Sequence, residues 1–207
     1  MKAFELLQLT LRPGSLGVAQ PALRDALAAS TAGVTLLGCW YSEIGTLNRL
    51  TLLRGFPDDV VRDVERERYL LTSDPFGVDA WLETMEVGDY RLFPFLSLPP
   101  PGTYGPFYEL REYELIAHGL PPTLDGWRQA LGRRTAEAYS PIYGAFYATS
   151  GRLPRILHIW PYASLEQRLD VRTRSVAEGA WPPENSTPQL RHMQSTVYLP
   201  TTFSPLR

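Results

Sequence analysis

A sequence that repeats itself must fold twice into the same supersecondary unit, and this constrains the chain more than any single motif. Phe4-Glu5-Leu6-Leu7 recurs 104 positions later as Tyr108-Glu109-Leu110-Arg111. Leu23-Arg24-Asp25-Ala26-Leu27 recurs at that same spacing as Trp127-Arg128-Gln129-Ala130-Leu131. Gly38-Cys39-Trp40-Tyr41 then matches Gly144-Ala145-Phe146-Tyr147 at a spacing of 106, so the second copy carries a two-residue insertion. Gly45 and Leu47 match Gly151 and Leu153, and residues 50–68 match 156–174 without a gap. LPPPGTYGP at 98–106 clusters Pro and Gly and reads as an extended linker between a first repeat, 1–97, and a second, 107–207.

Each copy reads β-α-β-β-α-β. Residues 108–116, rich in Tyr and Leu, suit a strand. Pro121-Pro122-Thr123 then opens a helix, with Thr123 as N-cap and Leu124, Trp127, Leu131 and Ala138 along one face. Copy one does the same with Leu16, Ala19, Leu23 and Leu27, where Pro21 fits only in the first turn. Two strands follow, joined by turns at Gly45 and at Ser150-Gly151. Ser164-Leu165-Glu166-Gln167 is a capping box, and the helix after it shows Leu165, Leu169 and Val176 on one face. A last strand closes each copy near 85–95 and 193–199. This order is the α+β ferredoxin-like arrangement. One such sheet leaves a face uncovered, and two copies can cover each other. The repeat therefore predicts two βαββαβ units packed sheet to sheet as an intramolecular version of a dimeric α/β barrel.

Composition excludes several classes. The 207 residues are 44% hydrophobic, enough to bury a substantial core. A net charge of −2 offers no basic field for nucleic acid or an anionic membrane. Cys39 is the single cysteine, so an intrachain disulfide and a multi-cysteine metal site are out. Glu5 interrupts any apolar signal run, and the uncharged stretch 26–42 is rich in Gly, Ser and Thr. That stretch falls short of the roughly 20 apolar residues a membrane span needs. A cytoplasmic protein is expected, and without secretion signals the sequon Asn185-Ser186-Thr187 carries no weight. No phosphate-binding glycine loop, Gly-x-Ser-x-Gly elbow or His-x-x-x-His spacing is present, against a nucleotide enzyme, a serine hydrolase or a zinc site.

The segments YELREYEL (108–115), YSPIYGAFYATSGRLPRILHIWPYASLEQRLDVRTR (139–174) and LPTTFSPL (199–206) resemble the NIPSNAP family, a branch of the dimeric α/β barrel superfamily. Copy one is a weaker relative, keeping FELLQLTLRPG and GCWYSEIGTLNRL but not the His-x-Trp strand. The resemblance implies the fold and a small-molecule pocket. It implies no reaction, because superfamily relatives include monooxygenases, cyclases, isomerases and heme proteins.

The strand RILHIWPY places Leu157 and Ile159 on one face and Ile156, His158 and Trp160 on the other. Leu157 and Ile159 are apolar enough to lie under helices, which would turn His158 into the barrel, within reach of Arg111 or Tyr113. A helix-facing core histidine is the competing reading. Asymmetry between copies favours a pocket: His158 matches Leu52, Trp160 matches Arg54, Arg111 matches Leu7 and Tyr113 matches Leu9. Buried polar groups are costly unless paired or used, and an internal network that only fixes register is the alternative to one asymmetric site.

His158 is the candidate acid or base, Arg111 the candidate clamp for a carboxylate or enolate, and Tyr113 a donor. Tyr147 is a second donor, Trp160, Phe146 and Trp40 would give apolar walls, and Arg54 and Glu112 are further polar contacts. Glu109 and Glu112 lie on opposite strand faces, so one at most reaches a given pocket. His118 reads as exposed loop, and the role of His192 is unreadable. No cofactor is expected; heme, on His158, is the runner-up. Two function classes remain. One is an enzyme acting on a small organic substrate without a nucleotide, by acid–base, cyclase, isomerase or monooxygenase-type chemistry. The other is a non-catalytic ligand-binding or interaction module. The partner expected is a small molecule, with no nucleic acid and no membrane, and the chain is a monomer or homodimer.

Overall fold

The repeat becomes a pseudo-two-fold axis. The computed structural model describes residues 1–28 and 33–207; positions 29–32 of the uncharged stretch lie outside the described residues. The first half runs β1 (Ala3–Leu11), α1 (Leu16–Ala28), β2 (Thr35–Ile44), β3 (Arg49–Phe56), α2 (Asp59–Leu71) and β4 (Leu82–Leu92). The second runs β5 (Phe107–Leu115), α3 (Leu120–Arg134), β6 (Gly144–Ala148), β7 (Arg155–Tyr162), α4 (Leu165–Ala177) and β8 (Leu190–Pro200). All strand pairs are antiparallel, in the order β1-β3-β2-β8-β5-β7-β6-β4, with β4 returning to β1. Each half is thus a four-stranded ferredoxin-like sheet, and the edges β2·β8 and β4·β6 hydrogen-bond to close one eight-stranded barrel. Closure removes the free edges that two separate sheets would leave. Register repeats too: Leu7 stands opposite Leu52 as Arg111 stands opposite His158, and Phe4 opposite Tyr90 as Tyr108 opposite Tyr198.

Three apolar layers follow from the period-two alternation. Phe4, Leu6, Trp40 and Tyr90 from the first half meet Tyr108, Phe146, Leu157 and Ile159 from the second inside the barrel. An eight-stranded barrel is just wide enough for side chains to fill, so this layer is packed core. Leu7, Leu9, Leu52 and Leu23 form the layer under α1 and α2; Tyr113, Trp127, Ile156 and Trp160 form the one under α3 and α4. Residues 98–106 have no helix or strand. Leu98 and Tyr104 pack on the barrel core, and Tyr104 N–H donates to Arg207 C=O at 2.6 Å.

The face assignment expected for β7 is therefore inverted. Leu157 and Ile159 fill the barrel, while Ile156, His158 and Trp160 lie under the helices. Both faces of β7 are buried along nearly its whole length, so alternation separated the faces without saying which was which. Three helix expectations also change. α3 starts at Leu120 with Gly119 as N-cap, because Pro121 and Pro122 suit a first turn whose N–H groups have no intrahelical partner. Thr123 consequently sits inside the helix, fully buried, and Ala138 lies beyond its end. Pro21 is inside α1 and not in its first turn. On α4, Leu165, Leu169 and Val176 are 40%, 65% and 59% exposed, and Val171 and Ser175 are the buried positions. The serine half of the capping box forms, Ser164 Oγ accepting from Gln167 N–H at 3.0 Å, while Gln167 Oε1 reaches one residue further back and accepts from Ala163 N–H.

Candidate functional site

Beneath α3 and α4 the second repeat encloses a cavity of about 280 Å³, close to the lower end of the range for small-molecule pockets. Arg111 and Tyr113 of β5 and His158 and Trp160 of β7 form its floor. Thr123, Trp127 and Arg134 of α3 and Arg172 and Ser175 of α4 form its sides. Trp181 closes it from the loop after α4. That loop lies against α3 at Gly126, where a Cβ would stand 2.6 Å from the Glu184 carbonyl oxygen, so only glycine admits the approach.

The cavity exists because of replacements between repeats. Positions equivalent under the pseudo-two-fold are Leu7 and Arg111, Leu9 and Tyr113, Ala19 and Thr123, Leu23 and Trp127, Leu52 and His158, and Tyr69 and Ser175. In the first repeat Tyr69 fills the corresponding space, its ring 5.2 Å from Phe76 and 5.2 Å from the Arg54 guanidinium. Ser175 vacates that space in the second, and the polar side chains of β5 and β7 face it.

His158 is held in one protonation state. Trp160 Nε1–H donates to His158 Nδ1 at 2.6 Å. An indole can only donate, so Nδ1 accepts and the proton of the neutral ring sits on Nε2. His158 Nε2 is buried with no hydrogen-bond partner among the described residues. Burial, and then the charges of Arg111, Arg134 and Arg172, push its pKa well below 6.5, so the ring stays neutral. The Tyr113 and Trp127 rings meet it edge-on with centroids at 4.8 and 4.9 Å. Two further donors in the wall, Arg111 Nε and Thr123 Oγ1, are buried and unpartnered among the described residues. Burial raises the Tyr113 phenol to about 12, so it enters as a donor. Burial likewise raises Glu109, but the hydrogen bond from Arg168, with Arg111 and Ser195, outweighs it and holds the carboxyl below its usual range. The site is therefore rich in donors and cationic, with indoles on three sides.

Of the residues expected to act together, Arg111, Tyr113, His158 and Trp160 do converge, on the helix side of the sheet and not in the barrel. The other five stand elsewhere. Trp40 and Phe146 are barrel core. Arg54 is locked in the first repeat, donating to Glu5 at 2.9 Å and Glu65 at 3.1 Å. Glu112 lies at the barrel mouth, accepting from Tyr90 Oη–H at 3.1 Å. Tyr147 packs at the margin of the helix-side layer, outside the cavity wall. His118 is an exposed loop residue with φ of 64°, and His192 is exposed on β8. Sequence reasoning missed Thr123, Arg134, Arg172 and Trp181. A signal existed in Arg168 and Arg172, one turn apart on α4 and beside the leucine face. No group of three His, Cys, Asp or Glu able to hold a metal ion is found among the described residues. No helix among them is long and apolar enough to cross a membrane.

Comparison with known proteins agrees with this architecture. A putative monooxygenase from Lactobacillus acidophilus superposes with a TM-score of 0.67 at 13% identity, covering 96% of this chain and 94% of that one. An anthrone oxidase-like protein superposes with a TM-score of 0.66 at 13% identity. At such identities the likeness is one of fold. Protein NipSnap homolog 2 of Danio rerio is 29% identical over 117 residues, 56% of this chain and 40% of that protein. Protein NipSnap homolog 3B of Mus musculus is 24% identical over 221 residues, 99% of this chain and 85% of that protein. The chain thus matches less than half the length of the first of these relatives. The NIPSNAP family model matches residues 4–87 and again 108–205. With both repeats matched and both halves folded alike, the chain belongs to the NIPSNAP family.

Proposed function

We propose that the helix-side cavity of the second repeat binds a small organic molecule and acts on it without a nucleotide cofactor. The observation that carries this reading is that His158 lies in the cavity wall with its Nε2–H buried and unpartnered among the described residues. A buried donor without a partner costs on the order of 1–3 kcal/mol, a cost a bound oxygen would remove. With Nε2 protonated and the imidazolium disfavoured, His158 donates to a substrate carbonyl or enolate oxygen and does not serve as a base there. Arg111, across the strand pair, stabilises negative charge developing on the same molecule. The chemistry this supports is proton transfer next to a carbonyl, as in an isomerase or cyclase, on substrates acidic enough to give the α-proton to water, which returns a proton to the neighbouring carbon of the enolate.

Heme is not part of the proposal. An axial imidazole needs a lone pair on the metal side and usually donates its other N–H outward. Here the Trp160 indole fixes the opposite tautomer, so His158 does not fit the role. A Soret band in protein grown with added heme, lost in His158→Ala, would overturn this. A reducing, cytoplasmic setting is also proposed, consistent with a free, buried Cys39.

A non-catalytic ligand carrier is the second reading, favoured by a cavity wall without Asp or Glu. Small ketones and acids screened by calorimetry, then followed by NMR in D2O, separate the two. Deuterium entering the position next to the carbonyl supports turnover, and tight binding without exchange supports the carrier. His158→Leu, which installs the residue of the first repeat, is expected to cut affinity at least tenfold with the melting temperature held. Unchanged binding with a large fall in melting temperature would return His158 to a core role.

A further inference from the structure

The charge around the cavity does not balance, and the first repeat shows what a balanced version looks like. There Arg66 pairs with Glu5 at 2.6 Å and with Asp89 at 3.0 Å. Arg62 reaches Asp89 at 3.4 Å as well as Asp59 and Asp63, Arg54 holds Glu5 and Glu65, and Arg68 holds Glu65. Every helix arginine of that layer has a carboxylate.

In the second repeat the α4 arginines are kept, but of the strand carboxylates that held them only Glu109, in the place of Glu5, remains. α2 and α4 correspond residue for residue, so Arg62 and Arg66 become Arg168 and Arg172. Strand register makes Asp89, opposite Glu5, equivalent to Val197, opposite Glu109. Arg54 and Glu65 disappear together, as Trp160 and Val171, which changes no net charge. Two changes then shift the balance the same way: an acid is lost at Val197, and a base is gained at Arg111 where Leu7 stood. Glu109 alone is shared among Arg168 at 2.6 Å, Arg111 at 3.4 Å and Arg172 at 3.9 Å. Arg134, also in the wall, has the Ser140 carbonyl, the Tyr162 hydroxyl and the faces of Trp160 and Tyr139, 4.2 and 5.9 Å away, and no carboxylate partner among the described residues.

We infer that the ligand of this cavity is an aromatic carboxylic acid, its carboxylate held by Arg111 and Arg172 and its ring system seated against Trp127, Trp160 and Trp181. The inference rests on the proposed pocket and adds the class of molecule that occupies it. Excess guanidinium charge in a partly desolvated site favours an anion, and the repeat lacking Asp89's equivalent takes it from the ligand. Planarity follows from the walls. Trp127 and Trp181 meet edge-to-face at 4.7 Å, and Trp160 and Trp181 at 6.0 Å, which leaves ring faces and edges for a flat guest. The donors His158 Nε2–H and Thr123 Oγ1–H then serve a second oxygen on the same ring system.

Three probes test this on the full chain: 2-naphthoate, the neutral isostere 2-acetylnaphthalene, and the saturated acid decalin-2-carboxylate. Each is titrated by tryptophan fluorescence and calorimetry at low and high salt. The expected result is naphthoate binding at least tenfold tighter than either other probe, with its lead over the ketone shrinking as salt rises. Arg111→Leu and Val197→Asp each restore a first-repeat residue. Each is expected to erase the preference for acid over ketone, and with Val197→Asp, outside the cavity wall, the ketone's own affinity is expected to change less than threefold. If Val197→Asp does not fold, Arg111→Leu decides alone. Equal binding of acid and ketone, with a ratio the variants do not move, would overturn the inference and leave the pocket standing. Failure of all three probes to bind the folded protein would overturn both.

Discussion

At the scale of single residues, Ser175 decides whether there is a site at all. Its first-repeat equivalent Tyr69 is buried against Phe76 and Arg54, so Ser175→Tyr carries an established side chain into a space of the same shape. The variant is expected to hold or raise the melting temperature and to abolish ligand binding; a destabilised variant that still binds would show that the two spaces differ. His158 sets a pH signature. Its pKa is depressed in the folded state by burial and then by neighbouring arginines, so the unfolded chain takes the proton first. Its contribution to stability is complete above about pH 6.5 and falls on acidification by up to about 1.4 kcal/mol per pH unit. Urea titrations at a series of pH values between 7.5 and 5.5 should show this slope in wild type and a shallower one in His158→Leu.

At the scale of elements, α4 and the loop after it place the charged and aromatic walls. Ser164 caps α4 by accepting from Gln167 N–H, and that helix carries Arg168 and Arg172. Ser164→Ala is expected to cost about 1 kcal/mol in a denaturant titration. Gly126 governs the loop more sharply. A methyl group there collides with the Glu184 carbonyl, so Gly126→Ala should push Trp181 off the cavity. Affinity for an aromatic ligand is expected to fall several-fold while far-UV circular dichroism is unchanged, and retained affinity would show that Trp181 is not a needed wall.

At the scale of the whole molecule, two unequal halves complete one barrel, and only one carries the cavity. The second half alone, residues 107–207, would leave one edge of β6 and one edge of β8 unpaired and its inner face bare. In the full chain β2·β8 and β4·β6 repeat one register, so β6 of one copy can pair with β8 of another. Residues 107–207 are therefore expected to sediment as a dimer; a stable monomer would argue against edge pairing as what holds the halves together. The fused chain gains what a homodimer cannot have, namely a first half free to become solid core where the second stays hollow.

The repeat, its insertion and the apolar period of its strands were legible in order along the chain, because local spacing dictates helix and strand and copies must fold alike. That Leu52 faces the place of His158 was legible too, since alignment preserves register. The side of the sheet on which both lie was not. Both faces of β7, like those of β1 and β3, are buried along most of their length, one in the barrel and one under helices, and alternation is blind to which is which. The leucines of α4 misled for a related reason: the half-buried Arg168 and Arg172 turn toward Glu109, and only the assembled layer makes that favourable. The cavity itself belongs wholly to the tertiary structure, because Ser175, Trp127 and Trp181 become neighbours only when α3, α4 and the loop close over β5 and β7.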